Sequence, residues 1–106
     1  MQLKEIGSRN YWRYYNLFDE DKVVGCVYIE HTNKLFLSNF LIDSKYRDKG
    51  YGSSMMNLIL ELAGDKPVVL EVEKDNEEAI QFYKKFGFFQ IDETETRYRY
   101  SNKQLS

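Results

Sequence analysis

Residues 35–73 read LFLSNFLI, DSKYRDK, GYGSSMMNLILELAG and DKPVVLEVE in turn, and the change of pattern from piece to piece decides the fold. Leu35 to Ile42 is apolar at nearly every position except Ser38 and Asn39, which predicts a strand covered on both faces. Past the charged stretch Asp43 to Lys49 the apolar period lengthens. Tyr51, Met55, Leu58, Ile59 and Leu62 recur at helical spacing while Ser54, Asn57 and Glu61 fall elsewhere, so an amphipathic helix is expected to end near Gly64. Pro67 to Glu73 is again a compact strand. A strand, a helix and a strand in so short a span make a right-handed crossover, which sets the two strands parallel.

Upstream, Tyr11 to Asp19 and Val23 to Glu30 are rich in Tyr, Phe, Val, Ile and Leu, and they are followed by Glu20-Asp21-Lys22 and His31-Thr32-Asn33-Lys34. Both breaks suit hairpin loops, so these runs form a meander with the strand at Leu35. A first strand at Gln2 to Ile6 is only weakly signalled. Downstream, Asn76 to Phe86 predicts a second helix, with Ala79, Ile80, Tyr83 and Phe86 inward. Asp75 or Asn76 caps it and Gly87 ends it. Phe88 to Asp92 and Thr96 to Tyr100 complete the chain as strands. The order (β)-β-β-β-α-β-α-β-β defines an α+β fold of three-layer-like α/β character, its sheet mixed and mostly antiparallel with one parallel βαβ crossover.

With 106 residues, 42% of them apolar, the chain has material for one core and predicts a single domain over residues 1–106. Fifteen Lys and Arg against seventeen Asp and Glu leave a net charge of −2, which argues against nucleic acid as a main partner. Tyr11-Trp12-Arg13-Tyr14-Tyr15 and Arg97-Tyr98-Arg99-Tyr100 interleave aromatic and basic residues, but strand alternation with exposed arginines accounts for them. Such strands also suit an open edge for a dimer or a peptide. A lone Cys26 excludes an internal disulfide, and with a single His31 it cannot complete a zinc site of four protein ligands. Cys26 is expected in the core and His31 in a solvated hairpin turn. With no signal-like N-terminus and no apolar run of spanning length, the chain reads as cytoplasmic, with no membrane partner.

Ligands of sheets with a parallel switch sit at the carboxyl ends of strands, and Arg47-Asp48-Lys49-Gly50-Tyr51-Gly52, with Ser53 after it, lies at that point. A helix N-terminus offers unpaired amides and a favourable dipole to an anion. Gly50 and Gly52 allow the backbone to come close, and Arg47 and Lys49 add positive charge. A pyrophosphate suits this chemistry. The segment lacks the GxxxxGK of a P-loop, and Ser54 or Met55 stands where a dinucleotide fingerprint has its third glycine.

Phe40 to Met56, FLIDSKYRDKGYGSSMM, and Leu70 to Phe88, LEVEKDNEEAIQFYKKFGF, resemble two ordered motifs of the GCN5-related N-acetyltransferases. The first is similar to that family's acetyl-coenzyme A motif, Arg-x-x-Gly-x-Gly between strand and helix. The second matches Leu-x-Val-x-x-x-Asn-x-x-Ala-x-x-x-Tyr-x-x-x-Gly-Phe at each named position. The resemblance implies that backbone amides of Arg47 to Gly52 hold the cofactor pyrophosphate. It also implies that the pantetheine arm lies along the strand ending near Ile42, with an amide at Leu41 or Ile42 polarising the thioester carbonyl. Asn76 falls where the family contacts the pantetheine arm, a role compatible with a plain N-cap. Tyr83 falls at the general-acid position that protonates the departing thiolate, and its alternative is an inward-facing core aromatic. Glu71 sits where a related branch, the ribosomal-protein N-terminal alanine acetyltransferases, carries a glutamate proposed as general base. Its alternative is a solvated strand carboxylate, and Glu30 and Glu73 are weaker candidates.

The main departure from the family pattern falls on the acceptor side. The usual member has two helices after its first strand, and the ten residues before Tyr11 leave no room for them. In the cofactor turn Ser44 replaces a common proline and Asp48 a common glycine, and neither removes an amide from the cradle. The resemblance thus implies an acetyl-coenzyme A-dependent N-acetyltransferase acting on a primary amine of a peptide, protein, polyamine or other small molecule through a ternary complex. A partner or a second copy in a homodimer would supply the missing wall. The rival is a catalytically silent acetyl-coenzyme A-binding module with a regulatory or interaction role.

Overall fold

A computed structural model describes residues 1–105. Its strands are β1 (Gln2–Arg9), β2 (Trp12–Asp19), β3 (Lys22–His31), β4 (Leu35–Ile42), β5 (Val68–Glu73), β6 (Phe89–Glu93) and β7 (Arg97–Ser101), and its helices are α1 (Tyr51–Ala63) and α2 (Glu77–Lys85). One turn of 3₁₀ helix, Ser44–Tyr46, interrupts the charged stretch between β4 and α1. The weakly signalled first strand is present and longer than expected. It turns straight into β2 through Asn10 and Tyr11, Asn10 taking the left-handed conformation (φ 56°) that such turns require.

All strands join one sheet in the order β1-β2-β3-β4-β5-β7-β6. Its single parallel pair is β4 with β5, and the other pairs are antiparallel. The crossovers β4–α1–β5 and β5–α2–β6 run across the sheet in the same sense, so two right-handed connections place both helices on one face. The core agrees with this. Met55, Met56 and Ile59 of α1 and Ile80 and Tyr83 of α2 share one cluster with alternate strand residues, including Tyr15, Leu17, Val27, Ile29, Leu35, Leu37, Val68, Leu70 and Val72. The layers therefore number two, a sheet and a pair of helices.

Two expectations about burial change as a result. β4 is not covered on both faces: Leu35 and Leu37 are buried on the helix side, while Phe36 and Ser38 on the other face are only partly buried. Leu41 near its end is 51% exposed, because no element of the described residues packs on the face opposite the helices. The inward stripe of α1 is Met55, Met56, Ile59 and Ala63, and Leu62 is 46% exposed. The stripe is rotated because α1 also reaches across towards β1. Cys26 is half-buried on the open face and not in the core. His31 ends β3 as a partly buried residue hydrogen-bonded to the Tyr15 hydroxyl at 2.9 Å, and is not a solvated turn residue. Burial and the nearby Arg13 and Lys66 charges push its pKa down.

Candidate active site

The site begins with a fault in β4. Ser38 pairs with Tyr28 and Leu41 pairs with Cys26, so two residues of β4 oppose one of β3 at this point. Asn39 takes a left-handed φ of 53° to make this β-bulge. A bulge bends its strand, and the parallel pairing with β5 stops just before it, at Leu37 and Leu70. Beyond that pair β4 and β5 separate, leaving a gap through the sheet.

The Asp43 amide donates to Val24 O at 2.9 Å. In an antiparallel ladder the bonded pairs alternate, so Leu41 also turns its backbone to β3 and Ile42 turns its own to the gap. Consistently, Ile42 O accepts from Arg47 Nε at 3.2 Å. Of the two amides named from the sequence, that of Ile42 is free to meet a ligand in the gap.

The turn after β4 is shaped by unusual backbone. Asp48 and Gly50 have φ of 62° and 84°, and Gly50 is the N-cap of α1. The left-handed conformation at Asp48 explains why glycine suits that position, and Asp is among the residues that tolerate it. Gly50 has no side chain with which to cap the helix, so no protein group bonds the first amides of α1 from that position. They point out of the helix with its positive dipole end, an arrangement that fits a pyrophosphate.

A cleft of about 860 Å³ opens between this turn, the end of β4 and α2. Leu41, Ile42, Arg47, Asp48, Gly50, Tyr51, Gly52, Ser53, Asn76 and Tyr83 all line it, so the structure brings together most of the residues singled out from the sequence. Lys49 and Glu71 are not among them. Phe40, Tyr46, Phe82 and Lys85 also line the cleft and were not assigned a role from sequence. Phe82 and Lys85 could have been found from helical spacing, since Glu78, Phe82 and Lys85 share one face of α2.

Asn76 caps α2, its Oδ1 accepting from Ala79 N at 3.2 Å. Tyr83 is 9% exposed and packs edge-on to Phe40, with ring centroids 6.2 Å apart, beside Phe82 and Phe88. Among the described residues its hydroxyl has no protein partner, and burial pushes the phenol up to about 12. Such a phenol stays protonated through the neutral range and keeps its O–H available as a donor. The ring lies in the core, as the alternative reading of Tyr83 expects, and the residue also lines the cleft.

Glu71 follows Leu70, the last residue of β5 paired to β4, and alternation puts it on the open face beside the gap. Its carboxylate is engaged there. Arg99 Nε and Nη2 donate to Oε2 at 3.2 and 2.8 Å, and Arg97 Nη1 stands 3.8 Å from Oε1. The Glu71 side chain is 20% exposed, so it is neither a freely solvated carboxylate nor an unencumbered one. Glu73 pairs with Arg97 in the same way.

These features, a mixed sheet parted at one parallel pair with a glycine turn and an uncapped helix N-terminus above the gap, define a known class of protein. The chain matches the model of the acetyltransferase (GNAT) family over residues 2–88 and belongs to that family. It is 35% identical to the probable N-acetyltransferase san of Drosophila melanogaster, over 90% of this chain and 54% of that protein. Arabidopsis thaliana Naa50, solved with the bisubstrate analogue CoA-Ac-MVNAL, superposes with a TM-score of 0.73 at 26% identity, covering 87% of this chain and 72% of that one. A GNAT-family protein of Bacteroides thetaiotaomicron shares the fold with a TM-score of 0.79 at 22% identity, over 92% and 64% of the two chains. The chain spans about half the length of the curated relatives that it matches over most of its own length.

Proposed function

We propose that the chain binds acetyl-coenzyme A in this cleft and transfers its acetyl group directly to a primary amine, donor and acceptor being held together in a ternary complex. One observation carries the reading: the cleft joins an uncapped helix N-terminus to a gap in the sheet whose far face is open. When bound, acetyl-coenzyme A supplies an acetyl thioester with a carbonyl open to attack and a thiolate as leaving group.

The residues of the chain supply the rest. Amides of Gly50 to Ser53 hold the pyrophosphate with the α1 dipole behind them, and Arg47 and Lys49 add positive charge. Ile42 N–H, turned to the gap, steadies negative charge on the carbonyl oxygen in the transition state. Asn76 offers its amide Nδ2 to the pantetheine arm while Oδ1 stays on the helix. Tyr83, protonated throughout the working range, gives its proton to the departing thiolate.

A lysine-type amine has a pKa of about 10.4 and must lose a proton to attack. Glu71 lies on the acceptor side of the gap and acts as base through water, within its ion pair with Arg99. The acceptor reaches the gap from the open face, and the acidic balance of the chain favours a cationic peptide or protein amine, a polyamine or another small amine. Because β1 runs directly into β2, no helix of the described residues walls that face, and a second copy in a homodimer fits there. The free Cys26 suits a reducing, cytoplasmic setting.

The test replaces Tyr83 with Phe. Release of coenzyme A across a panel of amines should fall about 10² to 10⁴-fold while the coenzyme A dissociation constant stays near wild type. Wild-type protein that binds no acetyl-coenzyme A would overturn the proposal. A second reading, a module that binds the cofactor without turnover, is favoured by the engagement of Glu71 by Arg99. Binding with no release for any amine, and no effect of Tyr83→Phe, would select it.

A further inference from the structure

The turn that would hold the pyrophosphate is pinned locally by side chains at three points. Asp43 Oδ1 accepts from Lys45 N at 3.4 Å, Arg47 Nε donates to Ile42 O at 3.2 Å, and Ser54 Oγ donates to Gly50 O at 3.2 Å. None of these bonds reaches beyond β4, the turn and the start of α1. A fourth restraint does. Tyr51, the first residue of α1, donates its phenol proton to Asp19 Oδ2 at 2.5 Å, across 32 positions of sequence. Among the described residues this is the one hydrogen bond that joins residues 44–53 to a strand other than β4. The Tyr51 ring also stands edge-on to Tyr46, with centroids 6.0 Å apart, so the bond fixes the 3₁₀ turn together with the helix start.

The charge on Asp19 makes the arrangement informative. Asp19 at the end of β2, with Glu20 and Asp21 in the turn after it, puts three carboxylates at one hairpin, and Asp19 itself meets the turn suited to an anion. Acting through charge alone, Asp19 would weaken anion binding. Acting through the phenol, it orients the backbone amides of Tyr51, Gly52 and Ser53.

We propose that Asp19 is a positioning residue for the cofactor: it holds the Tyr51 phenol and so sets the amides that receive the pyrophosphate. This deepens the reading of the cleft as a coenzyme A site and rests on it. The phenol is held in its protonated form by this bond, which raises its pKa.

Titration calorimetry with coenzyme A and with pantetheine, which lacks the pyrophosphate, tests the role in wild type and four variants. Tyr51→Phe and Asp19→Ala should each weaken coenzyme A binding about tenfold, as expected for loss of a hydrogen bond to a charged group. The double variant should be no weaker than either single one, because both remove the same restraint. Asp19→Asn, which keeps an acceptor for the phenol, should bind within about threefold of wild type. Pantetheine affinity should not change in any of them, a pattern that general loss of structure would not give. Tighter coenzyme A binding by Asp19→Ala would show that Asp19 acts by charge and overturn the proposal. So would wild-type affinity in Tyr51→Phe, or additive losses in the double variant. If the wild-type chain binds no coenzyme A, the reading of the cleft falls and the positioning role falls with it. Binding that is intact in wild type and variants alike removes the positioning role only.

Discussion

Asn76 is asked to do two things at once, and two substitutions separate them. Its Oδ1 accepts the Ala79 amide at 3.2 Å at the start of α2, and the residue also lines the cleft. Asn76→Ala removes both functions. An N-cap lost to Ala costs about 1 kcal/mol, and in a chain of this size that lowers the melting temperature by about 4–8 °C. Asn76→Asp keeps the cap oxygen. Its charge joins Glu77 and Glu78 in the first turn, where the helix dipole favours it, so the melting temperature should stay near or above wild type. The same variant loses the Nδ2 donor and sets a carboxylate at the cleft. A neutral hydrogen bond of about 1 kcal/mol corresponds to roughly a fivefold weaker coenzyme A affinity, and repulsion should push the loss past about tenfold. Differential scanning calorimetry and coenzyme A titration on both variants give the answer. If Asn76→Asp melts as low as Asn76→Ala, the capping argument is refuted. If Asn76→Asp binds coenzyme A as tightly as wild type, the contact with the cofactor is refuted.

Two further outcomes follow from the same geometry. A Cβ at Gly25 would stand 2.7 Å from Leu41 O and 2.8 Å from Ile42 Cδ1, so Gly25→Ala should cost about 1–3 kcal/mol in denaturant melts and, by pushing the end of β4, weaken coenzyme A binding. Wild-type stability in that variant would mean that β3 and β4 yield without cost. The Tyr83 phenol, at about 12 in the folded chain against about 10 when unfolded, keeps its proton longer in the folded state. Stability from this group is therefore complete below about pH 10 and declines from there to about pH 12, by roughly 1.4 kcal/mol per unit. In Tyr83→Phe that decline should be shallower, and an identical alkaline profile in both proteins would show that burial does not hold the proton on.

How far the fold could be read from the sequence depended on where local pattern and tertiary structure agree. The strands at Tyr11, Val23, Leu35 and Pro67 and the helices after Gly50 and Asn76 were clear because each carries its own period and its own stop. The strand Gln2–Arg9 was faint because its residues are mostly exposed, and pairing with β2 rather than apolar content makes it a strand. The run Leu35 to Ile42 misled for a physical reason. An apolar run looks the same whether protein or ligand covers it, and the exposed half of β4 is the half that borders the cleft and the gap.

The site divides along the same line. The turn from Arg47 to Ser53 and the pair Asn76 and Tyr83 are legible because glycines and a helix start carry local geometry in their spelling. The bulge at Asn39 is not, although Asn is among the residues most ready to adopt its conformation, because a bulge exists only relative to the strand beside it. The partners of Glu71 are hidden for the same reason. Arg99 lies opposite it through the register of β5 with β7, and no sequence spacing encodes that register. The gap, its amide donor and the state of its carboxylate thus arise from strand pairing. On the proposed reading the pairing therefore sets the acceptor side of the gap, while the turn that would receive the donor is written along one continuous stretch.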